Sequence, residues 1–234
     1  MTLSPAVIAP QTKVELSSAA YRSSFIGMSS TTTPVTITQA NLTANGGAVQ
    51  EGDVVLCWVY SRFEFDSEDP QLQGYRQNLP AGFTTIEADS TFSNIGIEFG
   101  WKVAGASEGG YTAIGGDLVY FSEMIVVVVQ SAAEPWRDHT RVRAFSTNTP
   151  YFPGIEPLSD GVVILMGTAV GELNTYTAPT GTTARSENAG GSFDGFYTRV
   201  MSYDLPTAGP TGNFVPASYS MVGSDTFFYT VAIQ

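Results

Sequence analysis

A chain of 234 residues, 43% of them hydrophobic, can enclose a core without disulfides or metal ions. Charged residues amount to only 14%, against roughly 25% in an ordinary globular domain, and they leave a formal net charge of −12. That balance repels phosphate backbones and anionic bilayers, so it excludes nucleic acid and membrane surfaces as expected partners.

Residues 1–18 lack periodicity, hold Pro5 and Pro10, and read as an N-terminal arm. The first residues, Met1-Thr2-Leu3-Ser4-Pro5, carry neither the basic start nor the long apolar run of a secretory leader, so synthesis in a cytoplasm is expected. From residue 19 onward, strand signals recur with Gly or Pro in every gap. Ala20–Met28 is the first predicted strand, Pro34–Thr38 alternates β-branched residues, and Asn45-Gly46-Gly47 makes a turn. Val54–Tyr60 is a continuous apolar run, the pattern of a central strand buried on both faces. The only cysteine, Cys57, lies inside it and is expected to be a buried, inert thiol.

Ile95–Val103 is the clearest strand: Ile95, Ile97, Phe99, Trp101 and Val103 point one way, while Gly96, Glu98, Gly100 and Lys102 point the other. Met124–Gln130 predicts another buried strand, and its apolar run is too short to span a bilayer. Val162–Met166, Tyr197–Tyr203, Phe214–Met221 and Phe227–Ile233 follow, and no segment has to be helical.

The chain also repeats itself. Gly52-Asp53-Val54-Val55-Leu56 matches Asp160-Gly161-Val162-Val163-Ile164, and Leu79-Pro80-Ala81-Gly82-Phe83-Thr84-Thr85 matches Ala178-Pro179-Thr180-Gly181-Thr182-Thr183. Met124–Gln130 matches Phe228–Gln234, and the counterpart of Trp101 falls at Met201 or Tyr203. These features predict an all-β fold: a two-sheet antiparallel β-sandwich, jelly-roll-like, with a weak internal duplication. It would form one domain over residues 19–234, with half-repeats over 19–132 and 158–234 and a Pro- and Thr-rich crossover over 133–157. Each half shows too few strands for a core of its own, so each is expected to contribute strands to both sheets.

The order of these blocks, together with Trp101-Lys102-Val103-Ala104-Gly105-Ala106-Ser107-Glu108-Gly109-Gly110-Tyr111-Thr112, resembles a family of uncharacterised β-sandwich proteins found in tailed-bacteriophage and prophage structural gene clusters. The resemblance runs from about Tyr21 to Gln234 and implies a virion protein of head, neck or tail with no chemistry of its own. The acidic stretch Arg62–Gln77 and the Arg-rich stretch Arg137–Arg143 depart from that pattern.

Candidate chemistry is sparse. Gly105-Ala106-Ser107-Glu108-Gly109 spells a nucleophile elbow, but it leads from strand to strand and is expected to be a hairpin turn. Glu64, Asp66, Glu68 and Asp69 read as a solvated acidic loop rather than a calcium site or a carboxylate pair. One histidine and one cysteine do not suffice for a metal centre, and no phosphate-binding Gly-Lys-Ser/Thr loop is present, so no cofactor is expected.

Trp136, Arg137, His139, Arg141 and Arg143 concentrate positive charge in an acidic chain, and are a candidate interface for an acidic neighbour or another copy. Tyr151, Phe152, Tyr176 and Phe193 lie in Gly- and Pro-rich segments and are candidate exposed contact aromatics. The expected role is therefore a non-enzymatic decoration or fibre-type virion component, homo-oligomeric and bound to capsid or tail proteins. The alternative is a carbohydrate-binding module for a host-surface glycan.

Overall fold

The computed structural model describes residues 19–30, 33–63, 77–91, 95–115, 119–130, 138–144, 150–170, 175–189, 196–220 and 226–234. Alternating and continuous apolar runs become strands where expected: β1 (Ala20–Ser29), β2 (Thr36–Thr38), β3 (Val54–Phe63), β5 (Ile95–Val103), β7 (Val119–Gln130), β9 (Gly161–Val170), β12 (Phe196–Leu205) and β14 (Thr226–Ile233). Between them lie β4 (Thr84–Thr91), β6 (Gly110–Thr112), β8 (Asp138–Ala144), β10 (Thr175–Tyr176), β11 (Thr183–Ala189), β13 (Tyr219–Ser220) and a short helix, α1 (Gln39–Ala44).

The strands form two antiparallel five-stranded sheets, ordered β1-β7-β3-β5-β4 and β8-β14-β9-β12-β11. The two orders are the same once each half is read from its own first strand. Smaller features repeat as well. The turn closed by the Phe83 N–H on the Pro80 carbonyl has Gly82 at φ +85°, and its twin, closed by Thr182 on Pro179, has Gly181 at φ +86°. A bulge interrupts β4 between Thr85 and Glu87, and β11 between Ala184 and Ser186.

The sandwich and the duplication are thus as expected, but the halves do not share sheets: each half builds one whole sheet. The miscount arose at the edges. β4, β8 and β11 are polar edge strands without an apolar run, so hydrophobic patterning does not mark them. The second half accordingly opens at β8, inside the stretch expected to be a crossover. Register also places Trp101 opposite Thr84, and Ser202 opposite Thr183, so the counterpart of Trp101 is Ser202 rather than Met201 or Tyr203.

Two further expectations are corrected. Phe214–Ser220 does not make one long strand: Phe214 forms a lone bridge to Phe152, and between Pro216, which has no N–H for a ladder, and Ser220 the strand pairing is at Tyr219–Ser220. Helix α1 exists because Thr38 and Asn41 cap it reciprocally: the Asn41 N–H donates to Thr38 Oγ1, and the Thr38 N–H donates to Asn41 Oδ1.

The sheets meet through Val54, Leu56, Trp58 and Tyr60 of β3 and Phe99 of β5, packed against β9 and β14. Trp58 stacks on Phe99 with centroids 4.5 Å apart and planes 6° apart, and the Tyr229 ring meets both edge-on. The opposite faces are buried too. Val35, Ile37, Leu42, Leu79 and Tyr111 cover Val55, Cys57 and Val59 on the first sheet. Phe152, Ile155, Tyr176 and Phe214 cover Val163, Leu165 and Phe228 on the second. Three apolar layers explain why β3, β7 and β14 read as unbroken apolar runs.

A buried carboxyl group lies between the sheets. Glu123 of β7 is fully buried, and its carboxylate accepts hydrogen bonds from Thr198 Oγ1 and Asn188 Nδ2 of the facing sheet. Burial raises its pKa from 4.5 to about 7, against the opposing pull of the Thr198 and Asn188 bonds. Between those two values the fold holds a proton that the unfolded chain has released. The stabilisation is therefore complete below about pH 4.5 and is lost as pH rises through about 7. Relative to Glu123→Gln, the native chain should lose about 3 kcal/mol of unfolding free energy between pH 4 and pH 9. Urea titrations across that range check the prediction; parallel pH profiles for the two proteins would refute it.

Candidate binding groove

The predicted basic group divides once it is placed. Trp136 and Arg137 lie outside the described residues. His139, Arg141 and Arg143 alternate along β8, opposite Val231, Tyr229 and Phe227 of β14. The His139 ring meets Phe99 with centroids 5.9 Å apart. Arg141 crosses to the other sheet, where its Nη2 lies 2.7 Å from Glu87 Oε1 and 3.2 Å from Asp89 Oδ2 of β4. The acidic partner expected from another molecule is thus supplied, for Arg141, by its own chain.

This bridge closes the β8–β4 seam while remaining about a quarter exposed, so its contribution is moderate and sensitive to screening. Arg141→Leu should cost about 1–2 kcal/mol at low salt, because two carboxylates then face each other unneutralised. The deficit should shrink in 1 M salt; denaturant titrations at both ionic strengths measure it.

Two of the three predicted contact aromatics that lie among the described residues are not at the surface. Phe152 and Tyr176 are buried, at 0% and 2% exposure, in the outer layer of the second sheet. Gly167 causes this. A side chain there would come within 2.5 Å of Tyr176 Oη, 2.7 Å of Phe228 and 2.9 Å of Phe152, so the bare glycine leaves a slot that the rings fill. Tyr176 also donates its hydroxyl to the Gly167 carbonyl at 2.6 Å. A glycine inside the apolar run of β9 was the available sequence signal. Tyr151 is half-buried, while Phe193 lies outside the described residues, as do Glu64, Asp66, Glu68 and Asp69.

Ser107 is exposed in the β5–β6 connection, where Glu108 accepts from the Gly105 N–H and pairs with Lys102 at 2.8 Å. The stretch leads from strand to strand, but it is not the hairpin turn expected, because β6 pairs with β2 and not with β5. Cys57 is fully buried, and burial, followed by the nearby Glu98 carboxylate, pushes its thiol well above the usual range.

A site that sequence reasoning missed lies on the outer face of the second sheet. β10 and β13 pair antiparallel, Thr175 with Ser220 and Tyr176 with Tyr219, and flank Tyr197 and Arg199 of β12. The resulting groove has a volume of about 380 Å³. Arg199 donates through Nη1 to the Tyr176 carbonyl at 2.8 Å and through Nη2 to Glu187 Oε2 on the neighbouring β11. Tyr197 donates its hydroxyl to Glu187 Oε1 at 2.9 Å. Its pKa is pushed up to about 12, by burial first and then by that bond, so it stays a phenol donor at neutral pH. The walls carry the exposed residues Thr175, Thr177, Ser218 and Ser220, and Tyr219 is 47% exposed. No protein-family model, curated protein or solved structure matches the chain.

Proposed function

We propose that the chain is a non-enzymatic structural component of a tailed-bacteriophage particle, a decoration or fibre-type element that binds capsid or tail partners or further copies of itself. The observation that carries this reading is the order of blocks along nearly the whole chain, which resolves into one sheet-forming unit laid twice, face to face. Residues with chemical potential have structural surroundings: Cys57 is sealed in the core, His139 packs on Phe99, and Arg141 ties one sheet to the other.

Contacts with partners would run through the connections rather than by strand addition. β1, β4 and β11 each carry a bulge that breaks the regular spacing an incoming strand needs. The most exposed apolar side chain, Leu158 at 78%, stands on a connection, as do Ile114 and Val215, while Met28 and Val103 are exposed on strands β1 and β5.

The test is quantitative mass spectrometry of gradient-purified particles from a lysate of cells carrying the gene. A fixed copy number per particle, retained through repeated banding, is the expected result. Absence of the chain from particles that are otherwise complete would overturn the proposal.

A further inference from the structure

We infer that the groove between β10, β12 and β13 is a binding site for a neutral saccharide. The inference does not depend on the chain being part of a particle.

The internal duplication supplies the first argument, because each strand of the second sheet has a twin in the first. Register pairs Ala88 with Glu98 in the first sheet and Glu187 with Arg199 in the second. Likewise the Asn78 N–H donates to the Ile114 carbonyl at 2.7 Å, and the Thr177 N–H to the Ser218 carbonyl at 2.9 Å. In the first half this region is closed. Glu98 is buried, accepting from the Leu79 N–H and from Thr85 Oγ1, each at 2.9 Å. In the second half the same places hold an Arg–Glu pair, a hydroxyl in place of Ile114, and the ring of Tyr219 where the first half has Gly115. The fold does not require these groups, since the first half builds the same sheet without them.

The chemistry of the groove selects the ligand class. Arg199 is neutralised by Glu187 within a chain of net charge −12, so a phosphate or other anion finds no uncompensated cation. The walls join tyrosine rings to hydroxyls and hold no aliphatic side chain larger than threonine, so a purely aliphatic ligand finds no matching pocket. A sugar ring offers what these groups can use. Its C–H face can lie on the Tyr219 ring, and its hydroxyls can bond to the wall hydroxyls and to Arg199, which Glu187 holds in place. Arg199 Nε is buried and has no hydrogen-bond partner among the described residues. A groove of about 380 Å³ is at the small end of the range for ligand clefts, suited to one or two rings of a longer chain.

The experiment is a printed array of neutral and acidic oligosaccharides, followed by calorimetric titration of the strongest neutral probe. The native chain should bind at least one neutral glycan. Tyr219→Ala and Glu187→Gln should each weaken binding by about tenfold or more, while Tyr219→Phe, which keeps the ring, should stay within about threefold of native. Unchanged melting temperatures verify that Tyr219→Ala, at an exposed position, is folded. Binding of acidic glycans alone, no binding of any neutral probe at 10 mM, or native affinity in Tyr219→Ala would each overturn the inference.

Discussion

The structure depends on one constraint: its central strands are apolar on both faces. Neither side of β3, β7 or β14 can be left in water, so each sheet needs a cover above and below. The other sheet supplies one cover. The connections supply the other, which is why residues 33–49, 77–83 and 104–115 are drawn over the first sheet instead of looping into solvent. The same demand accounts for the packed rings of Phe152 and Tyr176 over Gly167. Aromatic residues in Pro- and Gly-rich connections look like contact residues only if the sheet beneath them is assumed to be polar.

Polar groups are displaced to the edges, and there they do structural work. The two open margins of each sheet face those of the other, β1 beside β11 and β4 beside β8. One seam carries the Arg141–Glu87–Asp89 bridge. The other carries a hydroxyl pair, Ser24 with Ser186 at 2.5 Å, and the Arg185 guanidinium 4.2 Å from the Tyr21 ring centroid. Glu123, reaching Thr198 and Asn188, extends this second seam into the interior. Closing the two seams differently breaks the symmetry of the duplicate, which helps to fix one pairing of sheets among alternatives.

The central strands were legible because burial on both faces writes an unmistakable pattern, and the limits of β5 agree with its alternation residue for residue. The duplication was legible because its turns need particular residues: Gly82 and Gly181 both adopt positive φ, so the Pro-x-Gly spacing survived in both halves. What stayed hidden was whatever faces a polar neighbour. In β8, Thr140 and Val142 alternate with His139 and Arg141, which is a strand pattern, but its inner face is charged and resembles a loop when only apolar residues are counted. The groove was illegible for another reason. Arg199, Glu187 and Tyr219 come from three strands, and nothing local joins them.

A duplicated chain separates residues kept for folding from residues free to change. Where the twins agree, as at the bulges of β4 and β11 and the glycines of the paired turns, the sheet itself sets the requirement. Where they differ without disturbing the ladder, stability is an insufficient explanation. Glu98 and Arg199 occupy twin positions, both within intact antiparallel pairs, yet one is sealed against the Leu79 backbone while the other opens on a hydroxyl-lined groove. Burying a carboxylate costs free energy unless its bonds are satisfied, and the first half satisfies them with backbone and threonine. The second half has instead paired opposite charges at a partly wet surface, an arrangement worth little to stability but well suited to hydrogen bonding something from outside. The two halves therefore share an architecture and divide its uses: the first completes the scaffold, and the second has the surface on which recognition can be built.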